Sequence, residues 1–172
     1  EMEHSSVARA AFERTRLRQE QSYLDIGCGN GYSVRWACQV HPSVEGYGID
    51  VSEKMIERAR SRSSTIPNAR FIHSPFPLRD LKAQSFDAIV AIESFYFMPD
   101  VLWALANVVR LLKPGGRFVC VLDRYAENTE YRPWDEGTGV DTHNLSVETW
   151  RDLIAEAGLL IFEQTQIKTS LK

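Results

Sequence analysis

The stretch YLDIGCGNGYSV, residues 23–34, holds three glycines at every second position, Gly27, Gly29 and Gly31, directly after a short apolar run. Glycine permits the positive φ angles of a tight turn, and its missing Cβ lets a ligand touch the backbone. A strand turning at once into a helix also presents the helix's first unpaired N–H groups there. One candidate ligand is a dinucleotide, whose G-x-G-x-x-G fingerprint puts the third glycine five positions after the first. Here that position is Tyr32, and the third glycine falls one residue early, so a pyrophosphate cradle is disfavoured. Asp50 follows Gly31 by 19 residues. A carboxylate at that spacing accepts hydrogen bonds from both hydroxyls of an unphosphorylated ribose. Taken alone, Asp50 could equally cap the helix that follows it.

Other residues could do chemistry beyond the loop. Glu93 directly follows the apolar run FDAIVAI (86–92), where a carboxylate is costly unless it is used or paired. It is a candidate for a substrate or cofactor contact, or for a structural hydrogen bond. Tyr96 and Phe95 could line an acceptor pocket or belong to an aromatic core. His143 could serve as a base near neutral pH, although a single loop histidine is more often hydrogen-bonded structure. No His, Cys, Asp or Glu spacing suggests a metal.

These residues need a frame. Segments 23–26, 45–50, 69–73, 86–92, 117–122 and 159–167 read as strands. Between them, 32–39, 52–62, 101–112 and the stretch after Ser146 read as helices, with Ser52, Asp100 and Ser146 as N-caps. KPGG (113–116) reads as a turn. Alternation of this kind predicts an α/β fold: a doubly wound, mostly parallel Rossmann-like sheet with helices on both faces. Ligands then lie beyond the C-terminal strand ends, where strand order reverses. Residues 1–22 form a helical lead-in, and 23–172 a single domain. The long segment 123–146, rich in aromatic and polar residues, is expected to be a substrate lid or pocket wall.

Composition narrows the function classes. The chain has 172 residues, 44% of them apolar, which suits one domain with its own core. A net charge of −3 gives no general attraction to nucleic acid or anionic lipid. The basic residues Lys54, Arg58, Arg60 and Arg62 alternate with Glu53 and Glu57 and read as a solvated helix face. Three cysteines give no disulfide framework, and no run is long enough to span a bilayer. A cytoplasmic protein is the expectation, with no signal peptide visible, although the chain opens at Glu1 and a processed N-terminus stays open. Oligomeric state is not legible.

The blocks YLDIGCGNGYS, GIDVSEKMIERAR, SFDAIVAIESFYFMPD and LLKPGGRFVCVLD, in that order and spacing, resemble the class I S-adenosylmethionine-dependent methyltransferases, nearest the small-molecule group known as methyltransferase type 11. The resemblance implies S-adenosylmethionine as cofactor and a small-molecule methyl acceptor. It places Gly27, Cys28, Gly29 and Gly31 under the methionine and ribose of the cofactor, with Asp25 organising the loop and the methionine amino group. Asp50 would hold the ribose diol. Val51, assisted by Met55, would cover the adenine, and Ala91 would offer backbone groups to the methionine end. Many relatives carry an aspartate for the adenine amino group after the third strand. Here Ser74, Pro75 and Phe76 stand at that place, and backbone groups or the Ser74 hydroxyl would have to substitute. The family's sheet usually closes with a seventh, antiparallel strand; here the sequence stops at Lys172, so either that strand is absent or the tail that carries it is missing from this chain. Two rivals share these features: an NAD-dependent oxidoreductase, and a non-catalytic cofactor-binding module acting through a partner.

Overall fold

A computed structural model describes residues 3–130 and 141–167. The elements are α1 (Glu3–Thr15), β1 (Ser22–Ile26), α2 (Tyr32–Val40), β2 (Glu45–Asp50), α3 (Glu53–Arg62), β3 (Ala69–His73), β4 (Phe86–Ile92), α4 (Val101–Leu111), β5 (Leu112–Val121) and α5 (Val147–Glu156). A single 3₁₀ turn, Phe95–Phe97, joins β4 to α4. The five strands form one parallel sheet in the order β3-β2-β1-β4-β5. Strand order reverses between β1 and β4, so the crevice expected for a ligand opens at Ile26 and Ile92.

The period of two along β1 sorts its side chains between two cores. Leu24 and Ile26 join the cluster that includes α4 and Trp150 of α5. Tyr23 joins the opposite cluster, with Val34 and Ala37 of α2 and Ile56 and Ala59 of α3. The lead-in helix α1 is part of the same body: Ala8 and Ala11 are buried, and Phe12 stacks on Trp36 of α2 at 5.4 Å. Ala88 to Ala91 of β4 are essentially inaccessible, as a strand covered on both faces requires. Helix starts are set locally. Ser52, Asp100 and Ser146 each accept the N–H three residues on, from Met55, Trp103 and Thr149.

Two expectations are corrected. KPGG is not a turn before the fifth strand but a bulge inside it. Leu112 pairs with Phe86 and Arg117 with Ala88, so the extra residues are looped out of the ladder, with Gly115 at φ 78°. Residues 159–167 form no strand. Their side chains contact the body: Glu163 pairs with Arg14 at 2.8 Å, Phe162 lies under the Arg117 guanidinium, and Gln166 donates to the Tyr125 hydroxyl. A strand exists only where a neighbour supplies ladder bonds, and β5 pairs with β4 alone among the described residues. Leu160 and Phe162 are left 82% and 85% exposed.

Asp87 fastens the N-terminal end of the sheet. Its Oδ2 accepts the Ser22 N–H at 2.9 Å and the Lys113 ammonium at 2.6 Å, joining β1, β4 and β5. Asp87→Ala strands both donors and is expected to destabilise the fold by about 1–3 kcal/mol, read from urea unfolding.

Candidate active site

The glycine loop is held from β2. The N–H groups of Gly27 and Cys28 both donate to the Ile49 carbonyl, at 2.8 and 3.0 Å. Asp50 completes the attachment: Oδ2 accepts the Gly29 N–H and Oδ1 the Ser52 N–H, each at 2.8 Å. Each oxygen keeps a second acceptor position. The carboxylate is thus turned into the crevice and onto the loop, with capacity left for a diol.

The three glycines are required for different reasons. All have positive φ, at 74°, 51° and 77°. A Cβ on Gly27 would lie 2.4 Å from Ser94 Cβ, and one on Gly31 would lie 2.5 Å from the Phe71 ring. Both positions are closed by the protein's own packing. A Cβ on Gly29 would meet nothing within 4 Å. The bare backbone open to a ligand is therefore at Gly29. The loop is pinned across the switch point by Ser94, whose hydroxyl donates to the Ile26 carbonyl at 2.6 Å.

Asp25 is 2% exposed, at the C-terminal end of β1. Its Oδ1 has no hydrogen-bond partner. Burial pushes its carboxyl up to about 7, against a hydrogen bond from Ser33 that favours the charge and a smaller upward push from Asp50. A buried acceptor without a donor is rare in a folded chain and fits a site for a ligand ammonium. Tyr32, half-buried at the start of α2, is shifted upward by burial, Asp25 and Glu93, which puts these acidic groups around one crevice. Cys28 is buried against Gly48, and its thiol is shifted far upward by burial, so it lines the loop without being a nucleophile.

The remaining expected residues fall on the rim and floor. Val51 is 70% exposed beside Asp50, an apolar surface placed where a flat ring can cover it. Met55 is half-buried on α3. Ser74 extends the β2–β3 ladder by donating to the Asp50 carbonyl, and its hydroxyl is used on the Pro75 carbonyl. Pro75 is exposed, and the Phe76 side chain is in the core. Ala91 is fully buried in β4. Glu93 sits at the end of β4 with φ 52°, a left-handed conformation that costs a non-glycine residue about 1–2 kcal/mol, and its N–H donates to the Val121 carbonyl. Strain of this kind concentrates at functional sites. Tyr96 is 1% exposed in the core, its ring tilted against that of Phe97 at 4.7 Å. His143 ties its segment to the 3₁₀ turn, through its backbone N–H to the Tyr96 carbonyl and its Nε2 to the Met98 carbonyl. Of the expected lid, 131–140 lie outside the described residues; 126 and 145 are joined by a backbone bond.

A methyltransferase domain model matches residues 24–120, more than half of the chain. The chain belongs to the methyltransferase domain family. The match covers β1 to β5 and the whole of the loop and Asp50 arrangement, and the fold is that of the class I S-adenosylmethionine-dependent enzymes. Demethylmenaquinone methyltransferase of Staphylococcus aureus is 32% identical over 106 residues, 61% of this chain and 44% of the relative. The chain thus spans less than half the length of the curated relatives it matches. A chain of the complex between the Haloferax volcanii Trm112 methyltransferase activator and a methyltransferase superposes with a TM-score of 0.88 at 29% identity, over 96% of this chain and 73% of that one. The YcgJ protein of Bacillus subtilis gives 0.74 at 25% identity, over 90% and 68%. Among the described residues no helix is long and apolar enough to cross a membrane, and no cluster of His, Cys, Asp and Glu is placed to hold a metal.

The sequence did not single out Tyr23 or Ser33, which touch Asp25's surroundings, or Ser94. A tyrosine in an otherwise aliphatic strand, two residues before an aspartate on the same face, is the signal that was available.

Two outcomes check the site. Gly29→Ala carries only the left-handed backbone cost, about 1–2 kcal/mol, whereas Gly31→Ala adds the clash with Phe71 and is expected to unfold at clearly lower urea. For Asp25 the folded state binds a proton more tightly than the unfolded chain. The resulting stability is present below about pH 4 and is lost as pH rises through about 7. Asp25→Asn removes that loss, so the ligand-free variant is expected to show a flatter stability profile from pH 4 to 8 and to exceed the parent at pH 8.

Proposed function

We propose that this chain transfers a methyl group from S-adenosylmethionine to a small-molecule acceptor. The observation that carries the reading is the Asp50 carboxylate bound to the Gly29 N–H with acceptor capacity to spare, next to a fully buried Asp25 oxygen that lacks a donor. The first suits a ribose diol and the second an ammonium. S-adenosylmethionine carries both, with its methyl group already activated on a sulfonium. Gly29 lets the ligand lie against the main chain, and Val51 covers a flat ring. The protein's further task is to align an acceptor and keep water out. Glu93 follows β4, across the switch point from β1 and β2. Glu93 would hold or accept a proton from an amine or hydroxyl acceptor, and the bonds between His143 and the Tyr96 and Met98 carbonyls would fix the 3₁₀ turn that follows it.

A small acceptor is favoured by the name of the Staphylococcus relatives, demethylmenaquinone methyltransferase. It also fits a surface whose net charge of −3 gives no track for nucleic-acid phosphates. Three unpaired cysteines suit a reducing, cytoplasmic setting. A second reading, in which the domain acts with a partner protein, is favoured by the Haloferax neighbour, which is in a complex with an activator.

Calorimetry separates the cofactor classes. S-adenosylhomocysteine is expected to bind and NAD to give no heat; binding of NAD alone would reverse the assignment. Asp50→Ala is expected to weaken S-adenosylhomocysteine at least tenfold, since it removes hydrogen bonds to a charged group worth about 1.5–3 kcal/mol.

A further inference from the structure

The corner where β2 gives way to α3 is bound from β3 by more than the ladder. His73 is the last residue of β3, in register with Asp50. Its Nε2 lies 3.0 Å from the Val51 carbonyl, just past the end of β2. A carbonyl only accepts, so this nitrogen carries a proton, whether the ring is neutral or charged. The next residue adds a second bond: the Ser74 N–H donates to the Asp50 carbonyl at 3.1 Å. The Ser74 hydroxyl is used on the Pro75 carbonyl at 3.0 Å, so neither donor of Ser74 is left for a ligand. The end of β3 thus directs its polar groups to residues 50 and 51 and to its own turn. Peptide units are planar. Ser74 fixes the unit before the Val51 Cα and His73 the unit after it, and with both planes set the direction of the valine side chain is set too.

We infer that His73 is a positioning residue of the cofactor site, acting through the Val51 carbonyl to hold the valine side chain as a wall for the ligand's flat base. This rests on the cofactor reading above and extends it to a residue of the edge strand β3. A single exposed valine means little by itself. Val51 differs in how its backbone is held. Its side chain is 70% exposed, so packing does not fix where it points. Its neighbours are already committed: Asp50 grips the Gly29 and Ser52 N–H groups, and the Ser52 carbonyl starts α3 by accepting from Met55 and Ile56. The His73 bond supplies the remaining constraint on the corner. Contact between an apolar wall and a ring is sensitive to distance, since a gap of about 0.5–1 Å forfeits a quarter to a half of the attraction. A wall set during folding does not have to be ordered when the ligand arrives. His73 is exposed, and water competes for its bond, so its effect belongs on affinity at the scale of one ordinary hydrogen bond.

The test is a double-mutant cycle on the affinity for S-adenosylhomocysteine, measured by calorimetry in the parent, His73→Ala, Val51→Ala and the double variant. His73→Ala is expected to weaken binding about fivefold, the size of one hydrogen bond of ordinary strength. His73→Gln places an amide N–H at the reach of Nε2 and is expected to recover most of that loss, whereas the shorter His73→Asn is not. Val51→Ala keeps the backbone and its bond to His73 but removes most of the wall. Adding His73→Ala to it is therefore expected to weaken binding by less than about twofold, the coupling that residues acting through one another show. A His73→Ala variant that binds as the parent does would overturn the role of His73 while leaving the cofactor reading intact. So would an equal loss in the parent and Val51→Ala backgrounds, which is what a merely structural contribution gives. A parent that does not bind S-adenosylhomocysteine would overturn both.

Discussion

The carboxylate of Asp50 is the tie on which the site depends. One residue, at the last position of β2, holds the Gly29 N–H with one oxygen and the Ser52 N–H with the other. The glycine loop belongs to β1 and α2, while Ser52 opens α3. The single side chain therefore fixes the relation between two successive strand–helix crossings. With Ile49 accepting two further N–H groups, the loop has a defined shape before any ligand arrives. A preorganised site pays less to bind, because the ordering has been done during folding. Packing reinforces the arrangement, since Ser94 and Phe71 occupy the space a side chain on Gly27 or Gly31 would need.

The crevice is acidic by construction. Asp25, Asp50 and Glu93 lie at the C-terminal ends of β1, β2 and β4, and the phenol of Tyr32 stands among them. Parallel strands bring their C-terminal ends together at the switch point, so residues far apart in the chain act on one another there. Burial and, more weakly, the Asp50 charge raise the cost of a charge on Asp25. N–H groups of the protein meet the Asp50 carboxylate, while the Asp25 Oδ1 has no donor. A ligand carrying positive charge relieves what remains. The same field would oppose an anionic ligand such as a pyrophosphate, which adds an electrostatic reason to the steric one at Tyr32.

Much of this was legible in the residues. The five strands and the caps at Ser52, Asp100 and Ser146 follow from local patterns, because apolar periodicity and cap chemistry act over a few residues. The glycine loop and Asp50 were legible for the same reason, as a spacing. The segment 159–167 was not. Its alternation suits a strand, yet pairing depends on a neighbour that local pattern does not reveal. The bulge at 113–116 was read as a turn because proline and glycine mark both. The separate duties of Gly27, Gly29 and Gly31 depend on Ser94 and Phe71, dozens of residues away, and only the folded chain shows them. The buried Tyr23–Ser33 hydrogen bond is legible only in hindsight, from the odd tyrosine in β1.

The central claim is that the Asp25–Gly31 bend and Asp50 together hold an adenosyl compound by its sugar. Crystals grown with S-adenosylhomocysteine test it most directly. The account predicts density in the crevice with both ribose hydroxyls on the Asp50 carboxylate and the ligand lying against the Gly29 main chain. Ligand density elsewhere on the molecule, or a sugar turned away from Asp50, would contradict it.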